Sequence, residues 1–146
     1  MDRAMDAGMS LYTTLKEIYF SLDDGDRRLL EAFKLSVPRF YLLKHIAENP
    51  GITLTRLSEL MLTDKRNITR MLKSLEAESL VRRQSHQTDG RAVSLFLTNA
   101  GRMLAADALA AHKKFTEKRF LPITGQAEDL LRELIEVRKI LKGQLD

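Results

Sequence analysis

The residues best suited to chemistry lie on one predicted helix, where charged and hydrogen-bonding side chains share a surface. In the stretch LTDKRNITRMLKSLEAESL (62–80), apolar residues recur at helical spacing and leave the rest of the helix basic and polar. Arginine and lysine can pair with guanine O6 and N7 or with phosphates, and asparagine can contact adenine. The polar set is Lys65, Arg66, Asn67, Thr69, Arg70 and Lys73. This pattern permits contact with nucleic acid, although alone it favours an ordinary solvated helix face.

The six side chains divide into two predicted roles. Early positions of a recognition helix usually reach the floor of the DNA groove, so Arg66, Asn67 and Arg70 are the predicted base-reading residues. Lys65 and Lys73, with Thr69, are predicted to contact phosphates. The alternative is an ordinary solvated helix face, and the hairpin that follows is what favours the DNA-binding interpretation.

That hairpin consists of two β-like runs, 81–86 and 93–98, joined by a turn that contains Asp89-Gly90. Asp-Gly suits a hairpin because it tolerates positive φ. Arg91 next to this turn would be attracted to the negative potential of a narrow minor groove; the alternative is a surface arginine whose neighbour Asp89 merely stabilises the turn. Arg82 and Arg83 are adjacent on a strand and so face opposite ways, which predicts one phosphate contact and one structural residue.

Three short helices precede the hairpin, each with its own start signal. Ser36 before Pro38 predicts an N-cap, Thr53 or Thr55 can cap the second helix, and Thr63 or Asp64 the third. Three helices followed by a β-hairpin predict a winged helix-turn-helix. The predicted fold class is therefore mostly α with a small β-hairpin wing.

The two ends of the chain carry apolar stripes that this small domain would not bury. One stripe runs from about residue 8 to 34, where Asp23-Asp24-Gly25-Asp26 permits either a continuous helix or a break. The other lies in a helix from 98 to about 119 and in a last helix, capped by Thr124, with near-heptad spacing. We therefore expect residues 1–35 and 99–146 to be dimerisation helices and residues 36–98 to be the DNA-binding domain.

A homodimer of this kind would place two copies of the basic helix in successive major grooves, about 34 Å apart. The expected partner is then double-stranded DNA with a near-palindromic operator. Net charge supports this, because residues 62–92 hold seven basic and four acidic residues and so account for three of the four net positive charges.

Composition excludes several other functions. The 146-residue chain has no cysteine, so it forms no disulfide and no thiolate zinc site. It has no apolar run long enough to span a bilayer and no secretory leader, which predicts a cytoplasmic protein and no membrane partner.

The three histidines give no metal-binding pattern. His45, His86 and His112 are widely spaced, and we expect plain surface or interfacial histidines and no metal site. No nucleophile–base pair or phosphate-binding glycine loop is recognisable, so we expect neither an enzyme nor a cofactor.

Taken together, the motifs resemble the MarR family of transcriptional regulators. The segment Asp89-Gly90-Arg91-Ala92-Val93-Ser94-Leu95-Phe96-Leu97-Thr98 fits that family's wing pattern D-x-R-x-x-x-L-x-L-T, and Ala100-Gly101 follows it. Stretches 49–53, 64–76 and 80–83 match as well. Two positions depart from the pattern: Leu62 replaces a small residue in a turn, and Val37 replaces a proline.

The resemblance implies a winged-helix dimer that occupies an operator, usually as a repressor, and leaves it when a small anionic or aromatic effector binds between the dimerisation and DNA-binding parts. It also implies that Arg91 enters the minor groove, that Asp89 orients Arg91, and that the six polar residues of the basic helix face the major groove.

Two other functions remain open at this stage. The same basic face could bind an acidic protein, in an adaptor or antirepressor. Alternatively, the chain could be a ligand sensor with vestigial DNA binding, in which a pocket is lined by aromatic and basic side chains of the helices: Tyr12, Tyr19, Arg39, Tyr41 and His112.

Overall fold

The computed structural model describes residues 3–85 and 92–146, and these form two compact units, 1–112 and 113–146. The first unit contains helices α1 (Arg3–Leu30), α2 (Val37–Glu48), α3 (Leu54–Met61) and α4 (Lys65–Ala77), with strands β1 (Ile52–Thr53), β2 (Val81–Ser85) and β3 (Val93–Leu97). Helix α5 (Asn99–Phe120) contributes to both units, and the second also contains a 3₁₀ segment (Leu121–Gln126) and α6 (Ala127–Gly143). The predicted fold class is confirmed.

Side-chain caps start the central helices where the sequence predicts them. Ser36 accepts a hydrogen bond from the Arg39 amide at 3.3 Å, and Thr53 accepts one from the Arg56 amide at 3.2 Å. The carboxylate of Asp64 accepts from the Asn67 amide at 2.8 Å. Each cap satisfies an amide that has no partner inside its helix.

Helix α1 is continuous through Asp23-Asp24-Gly25-Asp26, so the predicted alternative of a break is not realised. Asp24 lies within ion-pair distance of Arg27 and Arg28, three and four residues further along the helix. Asp26 is buried and lies 3.0 Å from His112 Nε2 of α5. These partners compensate the poor helix propensity of the aspartates.

The sheet has three antiparallel strands in the order β1-β3-β2, whereas the sequence predicted only the two strands of the hairpin. Strand β1 pairs Ile52 with Leu95, and Val81 of β2 pairs with Leu97 at the other edge of β3. Two residues are too few to show a period in sequence. The second strand begins at Val93 as predicted and ends at Leu97, one residue before the predicted end.

A single core lies beneath the helix-turn-helix and the sheet. It contains the buried residues of α2, α3, α4, β3 and the start of α5, including Phe40, Leu43, Ile46, Leu57, Ile68, Leu72, Leu75, Leu95 and Ala105. Helix α6, in contrast, has no buried residue. Its predicted cap is wrong: Thr124 lies in the 3₁₀ segment, where its hydroxyl donates to the Phe120 carbonyl at 3.2 Å.

Candidate nucleic-acid interface

Helix α4 is anchored by its apolar side. Ile68, Leu72 and Leu75 are completely buried, and the Asp64 cap fixes the first turn. Leu62, just before the helix, takes a left-handed conformation with φ of 52° and leaves its side chain 74% exposed. The turn therefore keeps a geometry that favours glycine although leucine occupies the position.

The opposite side of α4 presents four cations to solvent. Lys65, Arg66, Arg70 and Lys73 are exposed, and within residues 3–85 and 92–146 none of them forms an ion pair with a carboxylate. Thr69 is half-buried, and its hydroxyl donates to the Lys65 carbonyl at 2.7 Å. The four cations are thus available to an external polyanion.

Asn67 and Arg70, two of the predicted base-reading residues, contact each other. The Arg70 guanidinium donates to the Asn67 side-chain oxygen at 3.0 Å, while the Asn67 amide nitrogen donates to Thr63 Oγ1 at 3.4 Å. Asn67 is half-buried, whereas Arg66 points to solvent with no such contact in the described residues. The three predicted base-reading residues therefore occupy two different environments.

The two adjacent arginines of β2 contact different neighbours, one on α4 and the other on β3. Arg83 Nε lies 2.5 Å from Glu76 Oε1 of α4, which ties the strand to the helix. The Arg82 guanidinium lies 4.4 Å from the centre of the Phe96 ring on β3, its cross-strand neighbour. The predicted opposite orientations are observed. The predicted wing residues Asp89 and Arg91 lie outside the described residues.

A cavity of about 650 Å³ lies between α1, α2 and the α3–α4 pair. Its walls combine aromatic, sulfur-containing and charged side chains, namely Tyr19, Asp23, Arg27, Ser36, Val37, Pro38, Tyr41, Met61, Thr63, Asn67, Arg70 and Met71. Of the five residues suggested from sequence as a pocket lining, Tyr19 and Tyr41 line it, whereas Tyr12, Arg39 and His112 do not. Arg39 instead forms an ion pair with Glu78.

Sequence reasoning did not identify Arg27, Met61 or Met71 as lining residues. Met61 and Met71 are half-buried on amphipathic helices, and such positions resemble core in a linear sequence, whereas Arg27 is exposed and resembles an ordinary surface cation. Tertiary packing alone makes them cavity walls.

The histidines differ in environment. His112 is half-buried where α5 meets α1 and α2: it packs against the Phe40 ring, with centroids 5.0 Å apart, and lies 3.0 Å from Asp26, so it is not a plain surface residue. Burial, with a smaller contribution from Lys44, lowers the pKa of His45. His86 lies outside the described residues. Across residues 3–85 and 92–146, no three His, Asp or Glu side chains cluster as metal ligands.

None of the described helices is both long enough and apolar enough to cross a bilayer.

Comparisons with known proteins group these elements with DNA-binding regulators. Residues 35–93 match the model of the MarR family. The chain is 29% identical over 109 residues to the transcriptional regulator HosA of Escherichia coli O111:H-, across 75% of this chain and 79% of that protein. This relative is a transcriptional regulator, in agreement with the expectation that the chain is not an enzyme.

Two solved structures share the fold. AbsC, a MarR family transcriptional regulator from Streptomyces coelicolor, is 20% identical with a TM-score of 0.84, and the match covers 94% of this chain and 96% of that one. The transcriptional repressor CouR, bound to a 23-mer DNA duplex, is 25% identical with a TM-score of 0.77, covering 85% of this chain and 89% of the other.

Proposed function

We propose, from the MarR family domain that the chain carries at residues 35–93, that this protein is a homodimeric, sequence-specific DNA-binding transcriptional repressor that acts in the cytoplasm. The observation that carries the proposal is the outer face of α4. Four exposed cations, Lys65, Arg66, Arg70 and Lys73, form no ion pair within residues 3–85 and 92–146, and they lie on a helix whose other side is buried in the core. A rigid cationic helix followed by paired strands suits insertion into a major groove.

Dimerisation is proposed from the exposed apolar side chains of the terminal helices. On α1, Met5, Met9, Tyr12 and Phe20 are more than half exposed, and on α6 so are Leu131, Ile140 and Leu141. Apolar faces of this extent usually mark an interface. We assign residues 1–35 and 99–146 to the dimer interface and 36–98 to DNA binding, so that two α4 helices would contact a near-palindromic operator.

The cavity is the basis for proposing that a small-molecule effector releases the protein from DNA. It is lined by Tyr19 and Tyr41 and by the guanidinium groups of Arg27 and Arg70, which suits a small aromatic or anionic compound. It also lies directly behind α4, so that a bound compound would contact the helix proposed to bind DNA.

The test of DNA binding is fluorescence anisotropy with duplexes from upstream of the chain's own coding region, compared with scrambled duplexes. We expect tighter binding to one upstream duplex and a steep loss of affinity with salt, because neutralised phosphates release counterions. Equal affinity for all duplexes at every salt concentration would contradict sequence-specific binding.

A matched pair of lysine variants tests the assignment of α4. Lys73→Ala should weaken binding to all duplexes about equally and reduce the salt slope by about one, as expected for one phosphate contact. Lys44 lies on α2, where its amine is 3.7 Å from the carboxylate of Glu48, and Lys44→Ala should leave both quantities unchanged.

A reporter gene placed under the upstream duplex tests repression. Higher expression without the protein than with it would support repression.

A further inference from the structure

Arg70 of α4 is held by the side-chain amide of a residue one turn earlier on the helix. Its Nη2 donates to the side-chain oxygen of Asn67 at 3.0 Å. Because arginine has only donors, the oxygen of the amide must face Arg70 and the nitrogen must face away from it. That nitrogen donates to Thr63 Oγ1 at 3.4 Å, in the turn before the helix. The three side chains therefore form a row of hydrogen bonds that runs from the turn to the guanidinium.

Asn67 is itself held more firmly than an exposed side chain. It is half-buried, and its backbone amide donates to the carboxylate of Asp64 at 2.8 Å. Arg66, in contrast, is exposed, and among the described residues no hydrogen bond or ion pair holds its guanidinium. Arg70 therefore has fewer conformations to lose than Arg66 when a ligand binds.

The positions of Asn67 and Arg70 around α4 suit different roles. At about 100° per residue, Arg70 lies opposite the buried Ile68 and Leu72, and Asn67 lies about 60° to one side of Arg70. A bidentate contact with adenine needs both the oxygen and the nitrogen of an asparagine amide, and Asn67 uses both within the chain. Asn67 is one of the predicted base-reading residues, but these contacts favour an indirect role.

We propose that Asn67 is a positioning residue, which orients the guanidinium of Arg70 toward one guanine of the operator and makes no base contact of its own. The guanidinium has five N–H groups in one plane, so the bond to Asn67 leaves a parallel pair of donors for guanine O6 and N7. The proposal rests on the proposed function and specifies how one base pair in each half of the operator is read.

Orientation before binding strengthens discrimination between base pairs. A bidentate arginine contact favours guanine over another base by about 5- to 150-fold. If Arg70 were free, ordering it on guanine would weaken that complex by about 2- to 12-fold, whereas a duplex without the guanine would not order it. Asn67→Ala should therefore reduce discrimination at this base pair by that factor and leave binding to duplexes without the guanine unchanged.

The experiment measures binding of the full chain by fluorescence anisotropy, first to the upstream duplex and then to duplexes in which each base pair is replaced in turn. Arg70→Gln should abolish discrimination at one base pair of each half-site, which identifies the guanine. Asn67→Ala should reduce discrimination at those base pairs and at no other. The double variant should match Arg70→Gln, because Asn67 acts only through Arg70.

The variant Asn67→Asp separates orientation of Arg70 from base reading. Aspartate keeps an oxygen that accepts from Arg70 but cannot donate to adenine N7. We expect discrimination at the guanine to stay within about threefold of the wild type, while binding to all duplexes weakens because a negative charge is added near the phosphates.

The matched control is Ser74→Ala. Ser74 is exposed on the same side of α4, two turns after Asn67, and the substitution should change neither affinity nor discrimination. Circular dichroism spectra that match the wild type would establish that the variants are folded.

Several other results overturn the inference. Loss of discrimination in Asn67→Ala at a base pair that Arg70→Gln still discriminates would show that Asn67 reads a base itself. Unchanged discrimination in Asn67→Ala, additive effects in the double variant, or a uniform loss of affinity in Arg70→Gln would show that Asn67 positions no base contact. Equal losses of discrimination in Asn67→Asp and Asn67→Ala would show that the acceptor oxygen is not what orients Arg70.

Failure of the inference is distinguishable from failure of the proposed function. If the wild-type chain discriminates among the duplexes in these cases, only the role of Asn67 is wrong. If the wild-type chain binds all duplexes equally, or binds none, the proposed function fails and the role of Asn67 fails with it.

Discussion

Helices α4 and α6 are both amphipathic, but only α4 buries its apolar side within the described chain. Ile68, Leu72 and Leu75 are fully buried, whereas Leu131 and Leu141 of α6 are more than half exposed. The same helical periodicity therefore marks a side that is buried in the core in α4 and an apolar side that is exposed to solvent in α6. Contacts within one chain stabilise the winged-helix region. We expect the terminal helices to be stabilised by contacts with a second copy of the chain.

The largest expected effect tests the α4 side of this comparison. Leu72→Ala removes a completely buried side chain and should lower the free energy of unfolding by about 2–5 kcal/mol, as measured by urea denaturation. The matched change on α6, Leu131→Ala at a protein concentration that favours the monomer, should alter it by less than about 0.5 kcal/mol. Similar losses in the two variants would remove the distinction between the regions.

The α6 side of the comparison is tested by assembly. Leu134→Asp places a charge in the proposed interface and should raise the dimer dissociation constant about 100-fold in sedimentation equilibrium, because the charge would be buried without a partner. Glu133→Ala, one residue earlier on the exposed surface, serves as the control and should leave that constant within about threefold. An unchanged dimer in Leu134→Asp would exclude this stripe from the interface.

Gly101 at the start of α5 and Gly125 before α6 differ in the space around them, and this difference extends the comparison to backbone packing. A Cβ at Gly101, in the first turn of α5, would lie 2.0 Å from the Leu80 carbonyl oxygen, so Gly101→Ala should cost about 1–3 kcal/mol of unfolding free energy. At Gly125, before α6, a Cβ meets nothing within 4 Å, and Gly125→Ala should be neutral or slightly stabilising. Thermal melting of both variants measures the difference; equal midpoints would contradict the close packing at Leu80.

The smallest effect concerns the turn before α4. Leu62 has positive φ, a conformation that costs a non-glycine residue about 1–2 kcal/mol, whereas glycine loses about 0.5–1 kcal/mol in additional chain entropy. Leu62→Gly should therefore raise the free energy of unfolding by about 0.5 kcal/mol, a shift visible in the urea midpoint. A lower midpoint would mean that the exposed leucine makes contacts that stabilise the turn.

Much of the fold could be predicted from sequence because its signals are local. The caps Ser36, Thr53 and Asp64, the buried stripe of α4 and the strand pair after it were all predicted from spacing and side-chain type. The family resemblance, drawn from the wing motif and the order of the helices, is confirmed over residues 35–93. The roles of the six polar residues of α4, and of Asp89 and Arg91, stay predictions.

The features that were missed have local causes as well as causes distant in sequence. Thr124 looked like a cap, yet the helix after it starts only at Ala127. The aspartates of α1 left a continuous helix and a break equally open, and ion pairs within the helix and a contact with His112, 86 residues away, accommodate them in a continuous helix. Strand β1 exists because β3 lies beside it.

The sequence by itself determined the helix-turn-helix, the two strands of the hairpin and the cationic character of α4, since these properties follow from local propensity, capping and charge. Only the tertiary structure decided which apolar helix sides are buried by other elements of the chain, because burial depends on what packs against a helix. It also decided that Arg70, Asn67 and Tyr41 line one cavity, since that proximity arises only when α1, α2 and α4 are folded together.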